Sequence, residues 1–123
     1  MRPALILTAA LVFGAAGGGA AAADQCFRTQ DMGNHRVVDD HTLYAAVGIR
    51  DVYRFEVSGA CLATATNSDP LVIRTVAGNN LVCKALDIDL SISRGGMTSA
   101  CIVERIVKLT PEEVSVIPKK LRP

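Results

Sequence analysis

Four cysteines have the plainest chemistry in this sequence: Cys26, Cys61, Cys83 and Cys101. They stand 35, 22 and 18 positions apart with no C-x-x-C pair, and neither His35 nor His41 falls at ligand spacing from them, so no metal site is expected. An even number of cysteines in an exported chain reads as two disulfides. Of the three possible pairings, the strand pattern favours Cys26–Cys101 with Cys61–Cys83. Cys61 leaves one hairpin and Cys83 closes the next, while Cys26 anchors an N-terminal arm and Cys101 opens the last strand. In a closed barrel that last strand returns beside the first.

The acid–base candidates are weaker. Asp39, Asp40 and His41 form a carboxylate–imidazole run, but adjacent strand residues point to opposite faces, so a turn is the expected reading. Asp87 and Asp89 share a strand face, as paired glycosidase carboxylates must, yet a solvated face has the same pattern. Ser58-Gly59 lacks the G-x-S-x-G frame of a nucleophile elbow. Gly95-Gly96 follows a strand with no GK[ST] and is a turn, not a phosphate loop. Tyr53 with Arg54 offers a stacking surface for sugars or peptides, though core placement of Tyr53 is favoured. No catalytic residue, ligand-binding residue or cofactor is assigned.

The N-terminus reads as an address. Arg2 is a positive n-region, Ala4 to Ala16 an apolar h-region, and Ala21 and Ala23 fit an A-x-A cleavage site before Asp24. Residues 1–23 are thus expected to be a signal peptide and 24–123 a single disulfide-bonded β domain. The apolar run dissolves into Gly17-Gly18-Gly19, too short for a membrane anchor. Gln25 before Cys26 is not the small residue of a lipoprotein site. No membrane anchor is expected after cleavage, and the compartment is periplasmic or secreted. Loss of Arg2 leaves twelve basic against twelve acidic residues, which argues against nucleic acid or an anionic membrane as a default partner.

The elements that position these residues are mostly strands. Leu43, Ala45 and Val47, then Tyr53, Phe55 and Val57, alternate on either side of a turn at Gly48-Ile49-Arg50-Asp51, which predicts a central hairpin. Three of the mature chain's four aromatics (Tyr44, Tyr53, Phe55) fall there. A short strand begins at Arg36-Val37-Val38, after a Gly33-Asn34 turn. Leu71–Val76 and Leu81–Cys83 are expected to form a second hairpin around Gly78-Asn79-Asn80. Ile88, Leu90 and Ile92 alternate with Asp87, Asp89, Ser91 and Ser93, giving a strand with one buried face. Cys101–Leu109 is a long strand with a bulge near Glu104-Arg105. Thr110-Pro111-Glu112-Glu113 is a capping box that starts a helix of about two turns, stopped by Pro118. Lys119–Pro123 reads as a frayed tail. The expected fold is all-β, a small barrel or sandwich of about six strands with a short C-terminal helix.

In their order, an early CF, RVVDDHTLY, DVYRFEV leading to Cys61, LVCKALDIDL and a final cysteine strand running into LTPEE resemble a family of small exported proteobacterial proteins of unknown function. The likeness covers nearly all of Cys26 to Val114 and departs at Cys61-Leu62, where the family pattern has Cys-Pro. It implies export, disulfides and a compact architecture, and brings no activity. The expected role is a non-enzymatic binding or inhibitory domain that meets a periplasmic or envelope protein. The alternative is a small hydrolase using Asp87/Asp89 or Asp39/His41.

Overall fold

A computed structural model describes residues 26–123; the expected signal peptide, 1–23, lies outside the described residues. Strand alternation builds the centre as expected. β3 (Thr42–Val47) and β4 (Asp51–Ser58) form an antiparallel hairpin in which Leu43 faces Phe55 and Ala45 faces Tyr53. Gly48 turns the corner at a φ of +63°, a left-handed conformation that glycine adopts without Cβ strain. Leu43, Ala45, Tyr53, Phe55 and Val57 are all buried.

The hairpin sits inside a curled six-stranded sheet. β2 (Met32–Asp39), β3 and β4 are followed by β8 (Met97–Lys108), β7 (Ile88–Arg94) and β5 (Leu71–Thr75), in that spatial order and all antiparallel. β8 is the spine, because its N-terminal half pairs with β7 and its C-terminal half with β4. Between the ladder pairs Glu56–Arg105 and Val57–Val103 the register slips past Glu104. This is the bulge expected near Glu104-Arg105, and it lets one strand bend to serve two neighbours. Gly95 and Gly96, both at positive φ, close the β7–β8 hairpin.

A second, two-stranded ribbon lies across the inner face: β1 (Phe27–Arg28) paired with β6 (Leu81–Val82). It delivers Phe27 and Val82 into the main core, where the Phe27 ring lies 4.8 Å from Tyr53 and 6.2 Å from Phe55. The tilted and edge-on geometries are those aromatic quadrupoles prefer.

On the opposite face of the sheet, α1 (Pro111–Ser115) and a closing 3-10 turn at Lys119–Leu121 cover a smaller cluster of Val52, Leu109 and Ile117. The Thr110 hydroxyl accepts from the Glu113 amide at 3.2 Å, and the Glu113 carboxylate accepts from the Thr110 amide at 3.0 Å.

Four expectations are corrected. The second hairpin does not form: Leu71–Thr75 pairs with Ile88–Ile92, and Leu81–Val82 pairs with Phe27–Arg28. The longer ladder buries the Ile88, Leu90 and Ile92 face, whereas a two-residue β6 offers too few partners to compete.

The disulfides follow that exchange. They are Cys26–Cys83 and Cys61–Cys101, with Cα–Cα distances of 4.1 and 5.3 Å, not Cys26–Cys101 and Cys61–Cys83. The register that sets Phe27 opposite Val82 brings Cys26 and Cys83 face to face one step further on. Cys61 lies just past the end of β4, where β8 runs alongside and carries Cys101.

Gly33-Asn34 is not a turn but part of β2, inside a register shift between Met32 and His35. Nor is the C-terminus frayed. Arg122 donates to the Ile117 and Ser115 carbonyls at 2.9 Å, and Arg36 donates to the Arg122 carbonyl at 3.3 Å.

Candidate functional site

The acidic candidates are occupied with backbone. Asp87 ends a 3-10 turn, and its carboxylate accepts from the amides of Cys83 (2.9 Å) and Lys84 (3.0 Å), locking the chain behind the ribbon. Asp89 stands apart on the exposed outer face of β7, opposite Arg74. Asp39 accepts the backbone N–H of His41 at 2.8 Å, which is the expected turn, and the His41 ring lies 3.2 Å from the Val57 carbonyl. Tyr53 is a core residue, 2% exposed. Burial, with the Asp51 charge adding to it, pushes its phenol up. Among the described residues no group of three or more His, Cys, Asp or Glu is placed to hold a metal ion.

Among the hollows on the surface of the described residues, three are well formed. One of about 370 Å³ lies on the outer face of β5, β7 and β8, beside Val72, Arg74, Asp89 and Thr98. Another, of about 250 Å³, lies between the helical cap and the sheet, beside Tyr44, Arg54 and Glu113. There the Thr110 backbone amide, then the Thr110 hydroxyl, hold the Glu113 carboxyl below its ordinary value. Arg54 Nε lies 3.4 Å from Glu56 Oε1, in ion-pair range, and makes no hydrogen bond among the described residues.

The third hollow is the largest of these, about 510 Å³, and has the most apolar walls. Arg50, Asp51, Lys108, Leu109, Pro111 and Val114 line it. Each residue has a structural reason to be there. Arg50 and Asp51 come off the Gly48 turn. Lys108 ends β8, and the Leu109 amide extends that ladder by donating to the Val52 carbonyl at 2.9 Å. Pro111 and Val114 come from the first turn of α1, which the capping box holds in place.

The cleft combines apolar and charged walls. Leu109, Pro111 and Val114 make an apolar floor. Lys108 Nζ lies 3.5 Å from Asp51 Oδ2, so one cation is spoken for, whereas Arg50 makes no ion pair among the described residues. Beside Arg50, Ile49 is fully exposed at the hairpin tip. An apolar floor beside an uncompensated guanidinium suits a segment that pairs an apolar side chain with a carboxylate.

Sequence reading did not single out Arg50, Lys108 or Val114. The available signal was Ile49, a large apolar residue in a turn where polar residues dominate. Compared with known proteins, the chain matches no family model, no curated protein and no solved structure. Among the described residues no helix is long and apolar enough to cross a membrane.

Proposed function

We propose that this chain is an exported, non-enzymatic binding domain of the periplasm that captures or inhibits an envelope protein by seating an acidic, apolar segment in the Arg50–Val114 cleft. The observation that carries the reading is that cleft: an apolar floor with one cation, Arg50, that is unpaired among the described residues, next to a fully exposed isoleucine. Two disulfides suit an oxidising compartment, and the signal-like N-terminus agrees with export. The resemblance to small exported proteobacterial proteins points the same way. The binding reading is preferred to the hydrolase alternative because Asp87 and Asp39 accept backbone amides and none of the three hollows described above is lined by both members of either pair.

The test is capture from periplasmic extract by the oxidised mature protein, run beside Arg50→Glu and Val114→Asp. The expected result is a partner retained by the native chain and lost from both variants. Equal capture by all three proteins would overturn the reading.

A further inference from the structure

The two edges of the six-stranded sheet are treated differently. β2 carries two register shifts, and its Val37 amide donates to Asn67 Oδ1 at 2.8 Å, so the Cys61–Pro70 loop lies along that edge. Bulges and covers are two of the devices by which natural sheets stop an edge from recruiting another strand, edge prolines and charges being others. β5 has neither. Its register with β7 runs unbroken through five residues, Leu71–Thr75, with Pro70 at its entry and Arg74 its only charge.

The ladder fixes which backbone groups face outward. Ser93 donates to the Pro70 carbonyl and Val76 donates to the Asp87 carbonyl, both at 3.0 Å. Even-numbered residues of β5 therefore bond to β7. Leu71, Ile73 and Thr75 turn their N–H and C=O groups to the free side, and among the described residues nothing accepts or donates to them. Leu71 and Ile73 pack half-buried against the core, while Val72 and Arg74 are exposed on the outer face.

We infer that β5 is a self-association edge, on which a second copy of this chain adds its own β5 antiparallel about a two-fold axis through Ile73. The sequence selects that partner and that register. Five residues centred on an outward-facing one are self-complementary: Leu71 meets the second copy's Thr75, Ile73 meets Ile73, and each facing pair exchanges two hydrogen bonds. Val72 then stands opposite the second copy's Arg74. Sliding by two residues one way sets Arg74 against Arg74. Sliding the other way sets Arg74 against Pro70. Both slides shorten the seam, and the first adds a like-charge pair. In the centred register the half-buried Leu71 and Ile73 of each copy also cover one another. The seam is narrow, so the dimer is weak and depends on concentration. It is independent of the cleft at Arg50, and partner capture there does not bear on it.

Sedimentation velocity of the oxidised protein at low salt, from about 10 µM to about 1 mM, tests the inference. The native chain is expected to shift from monomer to dimer across that range. Two equivalent contacts make the charge at position 72 decisive: Val72→Lys is expected to weaken the dimer and Val72→Glu to strengthen it, each by about 2- to 30-fold in Kd. Thr75→Pro removes an outward donor without touching the β7 ladder and is expected to abolish association. A monomer throughout the range overturns the inference. So does a dimer whose Kd responds equally to Lys and Glu at position 72, or to neither. A monomer that instead takes an added extended peptide on β5 would also overturn self-association.

Discussion

The ribbon on the inner face and the helical cap on the outer face each cover one hydrophobic cluster, but they are held by different physics. Fifty-seven positions separate Cys26 from Cys83, so the ribbon is a non-local contact sealed by a covalent bond and driven home by Phe27. The cap is local. Glu113 closes on Thr110 three residues away, and Arg122 ties off the carbonyls of Ser115 and Ile117. The ribbon closes a long loop, which is where a cross-link removes most entropy from the unfolded chain. The cap has little such entropy to remove and depends on hydrogen bonds worth about 1 kcal/mol each. Loss of the ribbon should therefore unsettle the whole core, whereas loss of the cap should uncover one patch.

Breaking the ribbon gives the largest expected effect. In the chain-entropy account, closing a 57-residue loop stabilises by about 4 kcal/mol, so Cys26→Ser with Cys83→Ser should lower the unfolding free energy by about 2–5 kcal/mol. Urea denaturation checks it. A loss below about 1 kcal/mol would place the ribbon on a par with the cap. Phe27→Ala removes the ribbon's aromatic anchor with the disulfide intact and should cost about 3–5 kcal/mol, the usual range for a buried phenylalanine.

The cap comes next. Thr110→Ala removes the hydroxyl that accepts the Glu113 amide and should cost about 0.5–2 kcal/mol in thermal unfolding. Cleft binding should weaken with it, since Pro111 and Val114 stand on that first turn. An unchanged melting curve would show that the cap contributes nothing to the fold.

The smallest effect is a pH dependence at the β2 edge. Burial chiefly lowers the pKa of His35 from 6.5, and Arg36 adds to this, against the opposing pull of the Asp69 carbonyl and charge. Among the described residues its buried Nε2 has no hydrogen-bond partner, so the neutral ring is the form the fold accepts. The folded state then binds fewer protons than the unfolded chain. Stability is full above 6.5 and is lost as pH falls through the depressed folded value. Melting temperature should drop between pH 7.5 and pH 5.5, a window above the carboxylates Glu56 and Glu113, whose values are lowered from 4.5. His35→Gln should flatten the drop. An equal drop in that variant would assign it to another group.

The same contrast explains what the sequence discloses. Alternation in Leu43–Val47, Val52–Val57 and Ile88–Ile92 is a local signal, and these strands appear where it puts them. The bulge at Glu104 and the Thr110 capping box are local too. Two-residue strands carry no periodicity, so the β1–β6 pairing and the disulfide it brings together were out of reach. Glycine and asparagine at 33 and 34 mimic a turn because a bulge relaxes the same backbone constraints. The docking of Arg122 and the convergence of Arg50, Lys108 and Val114 depend on the sheet's curl, which no short window encodes.

Non-reducing peptide mapping tests most directly whether the ribbon is threaded into the core through Cys26–Cys83. Trypsin cuts after Arg28, Arg54, Arg74, Lys84, Arg94 and Arg105, which places each cysteine on its own peptide. The account predicts that the peptide ending at Arg28 is joined to the one ending at Lys84, and that ending at Arg74 to that ending at Arg105. A peptide ending at Arg28 joined to the one ending at Arg105 would contradict it, and with it the pairing of β1 with β6.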